Sequence, residues 1–343
     1  MRAPWVLAAI VLGTAAAPAG TRQEPSAPPD LAAAAEAARD LPRLHSLLVS
    51  RRGELLLERY YNGTRAARPA NVKSVSKSVI SALVGIAIHR GLLEGVHQPI
   101  AGFFPGLLEN PAGAAKRRIT IEDLLTMRSG LESTSSRNYG AWVTSRNWVR
   151  YALSRPLESA PGEVMDYSTG NTHLLSAILT KVTGTSTWAF AQEALAAPLG
   201  FRLERWMRDP QGIYFGGNEM LMTPRQMLAF GELYLRRGRA NGRQVIPEPW
   251  IDASFVPRGR SHWSGQEYGY GWWIRDLAGH QAFYAWGFGG QYVFVIPDLE
   301  LVVVTTSATT VSEERRSHRR TVFDLVERFV IDPVAAADGG SRE

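Results

Sequence analysis

The spacing of hydrophobic positions changes twice along this chain. Residues 44–50 and 54–61 are two β-prone runs about an Arg52-Gly53 turn, which predicts a hairpin. Residues 71–90, NVKSVSKSVISALVGIAIHR, are apolar on nearly every side. That pattern predicts a helix buried in the core rather than a surface amphipathic one, with Gly91 as its stop. From His97 to about Tyr214 the spacing is helical and broken by loops, over residues 121–127, 142–154, 172–183 and 188–197. A further helix spans 224–237, with Thr223 as cap and Pro224 in its first position. Beyond it the period falls to two. Residues 268–275, 281–286, 291–296 and 301–306 read as strands of an antiparallel meander, punctuated by Gly287, Gly289, Gly290 and Pro297-Asp298. An amphipathic helix over 312–331 closes the chain. This order predicts an α/β (α+β) body whose antiparallel sheet combines both chain ends and is flanked by helices. The α/β part covers 41–95 and 215–333, with an all-α block over 96–214 inserted between and a disordered tail over 334–343.

Composition adds a compartment and removes several function classes. The first twenty residues, MRAPWVLAAIVLGTAAAPAG, carry one basic residue, an apolar run and small-residue cleavage options after Ala17 or Ala19. They read as a signal peptide over 1–19, followed by a Pro/Ala-rich linker over 20–40 with a short helix at its end. The competing reading is an uncleaved N-terminal anchor. A cleaved signal makes the protein exported, periplasmic or secreted, with no stable membrane insertion after cleavage. There is no cysteine, so thiol chemistry, disulfides and cysteine metal sites are excluded, and a hydrophobic content of 45% must supply stability through packing. The formal net charge is +6, but the clusters Arg236, Arg237, Arg239 and Arg315, Arg316, Arg319, Arg320 read as solvated faces. No nucleic-acid, P-loop or dinucleotide motif occurs, and the histidines show no metal-ligand spacing. No cofactor and no nucleic-acid partner are expected.

The candidate chemistry lies at the head of the buried helix. Ser74 and Lys77 stand three apart, so on a helix the hydroxyl and the amine share one face. A serine is a poor nucleophile until a base takes its proton, and burial can lower a lysine amine enough to make it that base. S-x-x-K recurs by chance in chains of this length. It is sharpened here because two of only four lysines flank Ser74, and a lysine in a buried helix is costly unless used or paired.

The segments SVSKSVISALVGIAIHRGLLEGVHQPIAGFFP, LLTMRSGL, DYSTGNTHLLSAIL, LMTPRQMLAFGELYLRRG, YGYGWW and GFGGQYVFVIPDLELVVV, in this order over about 44–331, resemble the serine β-lactamase / penicillin-binding-protein-like superfamily. The resemblance is to its branch of class C β-lactamase-like esterases, amidases and 6-aminohexanoate-dimer hydrolases. It implies an antiparallel sheet flanked by helices, an all-helical part and an active site in the cleft between them. It also implies that Ser74 is the nucleophile, Lys77 its base, and Tyr167 of Tyr167-Ser168-Thr169 the proton shuttle to the leaving group. Thr169 departs from the family's asparagine, and Asn171 is a looser candidate for that substrate contact. The family's third element, K-T-G or H-x-G, is read at Phe288-Gly289-Gly290, where the cation is gone. The oxyanion hole is then expected from the N–H groups of Ser74 and Gln291. A phenyl ring cannot attract a carboxylate, so a neutral ester or amide is favoured, unless Arg258, Arg260 or Arg275 restores the charge. The implied activity is hydrolysis of a small-molecule ester or amide through an acyl-serine intermediate. The alternatives are β-lactamase or D-alanyl-D-alanine peptidase activity, or a sensor that keeps the acyl group.

Overall fold

The computed structural model describes residue 1, residues 29–108 and residues 113–339. The signal peptide, apart from Met1, and linker residues 20–28 lie outside the described residues. In chain order the elements are α1 (Ala32–Arg39), β1 (Leu44–Arg51), β2 (Glu54–Tyr60), β3 (Ala70–Asn71), α2 (Ser76–His89), α3 (Ile121–Leu125), α4 (Tyr139–Val143), α5 (Trp148–Ser154), α6 (Thr169–Thr183) and α7 (Thr187–Ala191). There follow β4 (Leu221–Met222), α8 (Pro224–Leu235), β5 (Arg239–Ala240), β6 (Arg243–Gln244), α9 (Glu248–Ser254), β7 (Gly259–Arg260), β8 (Glu267–Tyr268), β9 (Trp273–Leu277), β10 (His280–Gly287), β11 (Gln291–Ile296), β12 (Leu301–Ser307), α10 (Arg315–Val326) and α11 (Asp332–Gly339).

The first hairpin turns at Arg52 and Gly53, with φ of 51° and 80°, the two left-handed residues that match the twist of paired strands. β1 then pairs with β12, so the first and last strands lie side by side in one eight-stranded antiparallel sheet of order β2-β1-β12-β11-β10-β9-β8-β7. Its central strands β11 and β12 are buried along their whole length. In β12, Val302 and Val304 face the core that contains α2 and α8, whereas Leu301 and Val303 face the core beneath α1 and α10. This is the period-two alternation of a sheet covered on both sides. α8 starts at a capping box between Thr223 and Gln226, with Pro224 in its first turn. It lies flat on the sheet at Gly231, where a Cβ would come within 2.6 Å of Val302 and 2.7 Å of Val293.

Four expectations are corrected by packing. The run 142–154 is two helices, α4 and α5, because Asn147 leaves the helical conformation and its side chain caps α5 through the Arg150 N–H. The run 268–275 is interrupted between β8 and β9: the Ser78 and Ser81 hydroxyls of α2 donate to the carbonyls of Gly271 and Tyr270 at 2.6 and 2.7 Å. Gly271, at φ 82°, allows that docking, since a Cβ would lie 3.1 Å from the Lys77 carbonyl. The short helix expected at the end of the linker is α1, and it is packed against the body rather than part of a linker, with Ala34 and Ala38 fully buried. Within the expected disordered tail, α11 is helical and Val334 is fully buried. α9, whose seven residues carry too short a pattern to stand out, is an addition.

Candidate active site

The nucleophile candidate stands where a 3-10 turn, Lys73–Val75, feeds into α2. Lys73 adopts φ 51°, a left-handed conformation that costs a non-glycine residue energy. It is held there from both ends. Its N–H donates to Asn71 Oδ1 at 3.1 Å, and its ammonium pairs with Glu219 at 2.7 Å. Ser74 is consequently presented, partly exposed, at the rim of the helix.

Lys77 is 1% exposed. Its Nζ lies 3.0 Å from Ser74 Oγ, 3.3 Å from Thr169 Oγ1 and 2.7 Å from the Gly217 carbonyl. No carboxylate forms an ion pair with it among the described residues. Burial without a counter-charge disfavours the ammonium and lowers its pKa to about 7. The amine is therefore substantially free to accept a proton at neutral pH.

Tyr167 lies beside this pair, its ring centroid 4.9 Å from Lys77 Nζ. The ring stacks on Trp273 at 5.6 Å and meets Tyr268 edge-on at 6.2 Å, and burial holds the phenol protonated well above its usual range. The nearby Ser74 hydroxyl works against that rise.

The segment carrying Tyr167 is fixed by hydroxyls rather than by a cap of its own. Ser133 donates to the Tyr167 carbonyl at 2.7 Å, and Thr134 N–H to Ser168 Oγ at 3.1 Å. Ser135 Oγ and Thr134 Oγ1 accept from the N–H groups of Thr169 and Gly170 at 3.0 and 2.8 Å, satisfying the start of α6. Ser135 also reaches Thr169 Oγ1 at 3.0 Å, so a run of polar groups leads from Ser135 through Thr169 and Lys77 to Ser74.

Ser74, Lys77 and Tyr167 are thus brought together, and Thr169 holds the place facing Lys77. Asn171 is not part of the group. It is buried, its Oδ1 accepts from Ser129 at 3.0 Å, and its Nδ2 has no hydrogen-bond partner among the described residues.

The expectation for Gln291 is corrected. The residue has no exposed surface, its N–H included, so a substrate oxygen has no open approach to it; its carboxamide is paired with the Ser307 backbone at 2.7 and 3.1 Å. Gly289 and Gly290 pack toward the end of β12 and toward α10. A Cβ on Gly289 would meet the Ala308 carbonyl at 2.6 Å, and one on Gly290 would meet Ser307 Oγ and His318 Nε2 at 2.8 and 3.0 Å. The glycine that lets the sheet approach the nucleophile turn is Gly287, where a Cβ would lie 2.2 Å from the Val72 carbonyl. Phe288, partly exposed, follows it at the end of β10.

The sequence reading passed over Gly217, took Thr169 only as a departure from the family's asparagine, and took Gly287 only as a strand boundary. For Gly217 the signal was present in the pair Gly216-Gly217: a Cβ there would lie 2.2 Å from Thr172 Oγ1 and 3.1 Å from Lys77 Nζ. The arginines named as substitute cations are otherwise engaged. Arg258 pairs with Glu122 and covers Tyr270, Arg260 donates to the Gly265 carbonyl, and Arg275 faces Glu327 and Phe323. Instead Arg315 lies 4.5 Å over the Phe288 ring and Arg319 lies 4.8 Å over Trp286. With Arg316 and Arg320 they line a cavity of about 420 Å³ bordered by Trp286, Gly289, Gly290 and Tyr292. Arg316, Arg319 and Arg320 are exposed, as a solvated face requires, and the cluster also borders this cavity.

Comparison with known proteins agrees with this architecture. A family model described as Beta-lactamase matches residues 45–327. The 6-aminohexanoate-dimer hydrolase of Paenarthrobacter ureafaciens is 24% identical over 302 residues, covering 80% of this chain and 74% of its own. Among solved structures, EstCE1, a hydrolase with promiscuous acyltransferase activity, superposes with a TM-score of 0.71 at 18% identity, over 87% of this chain and 97% of that one. A penicillin-binding protein homologue from Caulobacter crescentus gives 0.70 at 16% identity, over 90% and 98%.

Proposed function

The chain belongs to the Beta-lactamase family and is a serine hydrolase, and from that premise we propose that it cleaves a small-molecule ester or amide with Ser74 as nucleophile, Lys77 as base and Tyr167 as proton shuttle. The observation that carries the reading is the Lys77 amine: buried, without an ion-pair partner among the described residues, lowered to about 7, and 3.0 Å from Ser74 Oγ.

The Ser74 hydroxyl passes its proton to neutral Lys77 as Oγ bonds to the substrate carbonyl carbon. The tetrahedral oxyanion is received by the Ser74 N–H and by the Phe288 N–H at the end of β10, which takes the place first expected of Gln291. The proton moves from Lys77 through the Tyr167 phenol to the leaving alcohol or amine, so the Lys77–Tyr167 pair acts as one acid–base unit. Water, deprotonated by the same pair, then attacks the acyl-serine and releases the acid. Trp273, stacked on Tyr167, and Trp286, 5.8 Å beyond it, offer an apolar wall to the substrate. The N-terminal twenty residues make this an exported enzyme, periplasmic or secreted.

Arg315 over Phe288 gives weight to a second reading, in which the substrate carries a carboxylate, as β-lactams and peptidoglycan stems do. The test is hydrolysis of p-nitrophenyl butyrate beside a chromogenic cephalosporin, with wild type and Ser74→Ala purified identically. Ester turnover that disappears in Ser74→Ala supports the esterase/amidase reading. Efficient cephalosporin cleavage moves the assignment to the second, and turnover retained by the variant defeats both.

A further inference from the structure

The carbonyl that receives Lys77 belongs to Gly217, in a turn outside regular structure. Behind that turn lies a buried hydrogen-bonded pair with no contact to Ser74. Asp209 and His173 are both fully buried, with Asp209 Oδ2 3.1 Å from His173 Nε2. The other Asp209 oxygen accepts from the N–H groups of Gln211 and Ile213 at 2.8 and 2.9 Å, which closes the loop leading to Gly216. The opposite ring nitrogen, His173 Nδ1, lies 3.4 Å from the Gly216 N–H. Gly216 has no space to shift: a Cβ there would lie 2.1 Å from the Thr172 carbonyl and 2.8 Å from His173 Cα. Trp142, Trp148 and Phe215 enclose the imidazole, with ring centroids at 5.8, 5.3 and 5.9 Å.

These contacts determine the tautomer. An N–H can donate to Nδ1 only if Nδ1 carries no proton, so Nε2 carries it and donates to Asp209. We propose that Asp209 and His173 are positioning residues: the aspartate fixes the imidazole tautomer, the imidazole holds the Gly216 N–H and with it the turn through Gly217, and the Gly217 carbonyl fixes the Lys77 amine against Ser74. The proposal rests on the assignment of Lys77 as base. Around Lys77 the facing groups are Ser74 from its own turn, Thr169 from α6, the Tyr167 ring and the Gly217 carbonyl. Among the described residues, Asp209 is the charged group paired with His173.

Asp209→Asn separates this role from simple packing. Its Oδ1 still closes the 209–213 loop, but its amide now donates toward Nε2, so the ring proton moves to Nδ1 and opposes the Gly216 N–H. A carbonyl acceptor favours the ammonium form of Lys77, and loosening it lowers the amine's pKa further. The test is the rate at which a fluorophosphonate probe labels Ser74 in the full chain, followed by intact mass from pH 5 to 9. For Asp209→Asn the plateau rate falls about tenfold, and the acid limb moves to lower pH than in wild type. His173→Asn, which keeps an oxygen acceptor where Nδ1 stood, labels faster than His173→Phe, which keeps only the ring volume. A wild-type plateau and midpoint in Asp209→Asn overturn the proposal, as do equal losses in His173→Asn and His173→Phe that track their melting temperatures. If Asp209→Asn does not fold, the two His173 variants decide alone. Wild type left unlabelled at Ser74 defeats the proposed function itself, an outcome distinct from these.

Discussion

Lys77 is the residue at which stability and function oppose each other. In the unfolded chain its amine has an ordinary pKa near 10.4, and in the fold burial brings it to about 7. Between those values the unfolded state binds the extra proton, so raising the pH through this window stabilises the fold, by up to about 1.4 kcal/mol per pH unit. Below pH 7 both states are protonated and the full cost of burying the charge persists. Replacing the amine with an apolar chain removes that cost. Lys77→Met is therefore more stable than wild type in denaturant unfolding at pH 7, and the difference narrows toward pH 10. Its ester hydrolysis is lost. A difference that widens with pH contradicts the assignment of burial as the cause. Gly217→Ala probes the same amine from the other side: a Cβ 3.1 Å from Nζ and 2.2 Å from Thr172 Oγ1 displaces one or both, so kcat falls more than tenfold and the melting temperature drops.

At the scale of elements, α8 rests on the sheet through Gly231, and a Cβ 2.6 Å from Val302 overpacks that contact. Gly231→Ala costs about 1–3 kcal/mol in denaturant unfolding while the activity of the folded fraction stays near wild type, because the helix packs at that glycine on β11 and β12 and carries no residue of the site. The elements also show what a sequence reveals. Strands β10, β11 and β12 and helices α2, α6 and α8 carry long apolar runs, and their period marks them whatever surrounds them. α1 and α11 are alanine-rich and hide their role, since alanine serves a linker and a packed helix equally well; only the burial of Ala34, Ala38 and Val334 decides. The site divides likewise. Ser74, Lys77 and Tyr167 stand in patterned segments. Gly217 enters through a carbonyl that every residue possesses, and which N–H faces the nucleophile depends on how the β10–β11 hairpin turns. That turn sends Gly289, Gly290 and Gln291 toward β12 and α10 and leaves Gly287 against Val72.

Across the whole molecule the sheet gathers both chain ends, with β1 against β12, and α10 brings its arginines to the rim where β10 ends. Arg315, 4.5 Å over Phe288, sets a cation beside the proposed substrate path without a lysine in the third motif. In Arg315→Gln, KM for the p-nitrophenyl half-ester of glutarate rises about tenfold, while p-nitrophenyl butyrate is unaffected; in wild type, added salt mimics the substitution for the half-ester alone. Equal effects on both esters place Arg315 in packing instead. The central claim, that Ser74 carries the acyl group with Lys77 as its base, is tested most directly by acid-quenching a reaction with p-nitrophenyl butyrate and mapping the adduct by peptide mass. The account predicts one butyryl group on the peptide containing Ser74 in wild type and none in Ser74→Ala or Lys77→Met. An adduct on another residue, or turnover that persists in Ser74→Ala, contradicts it.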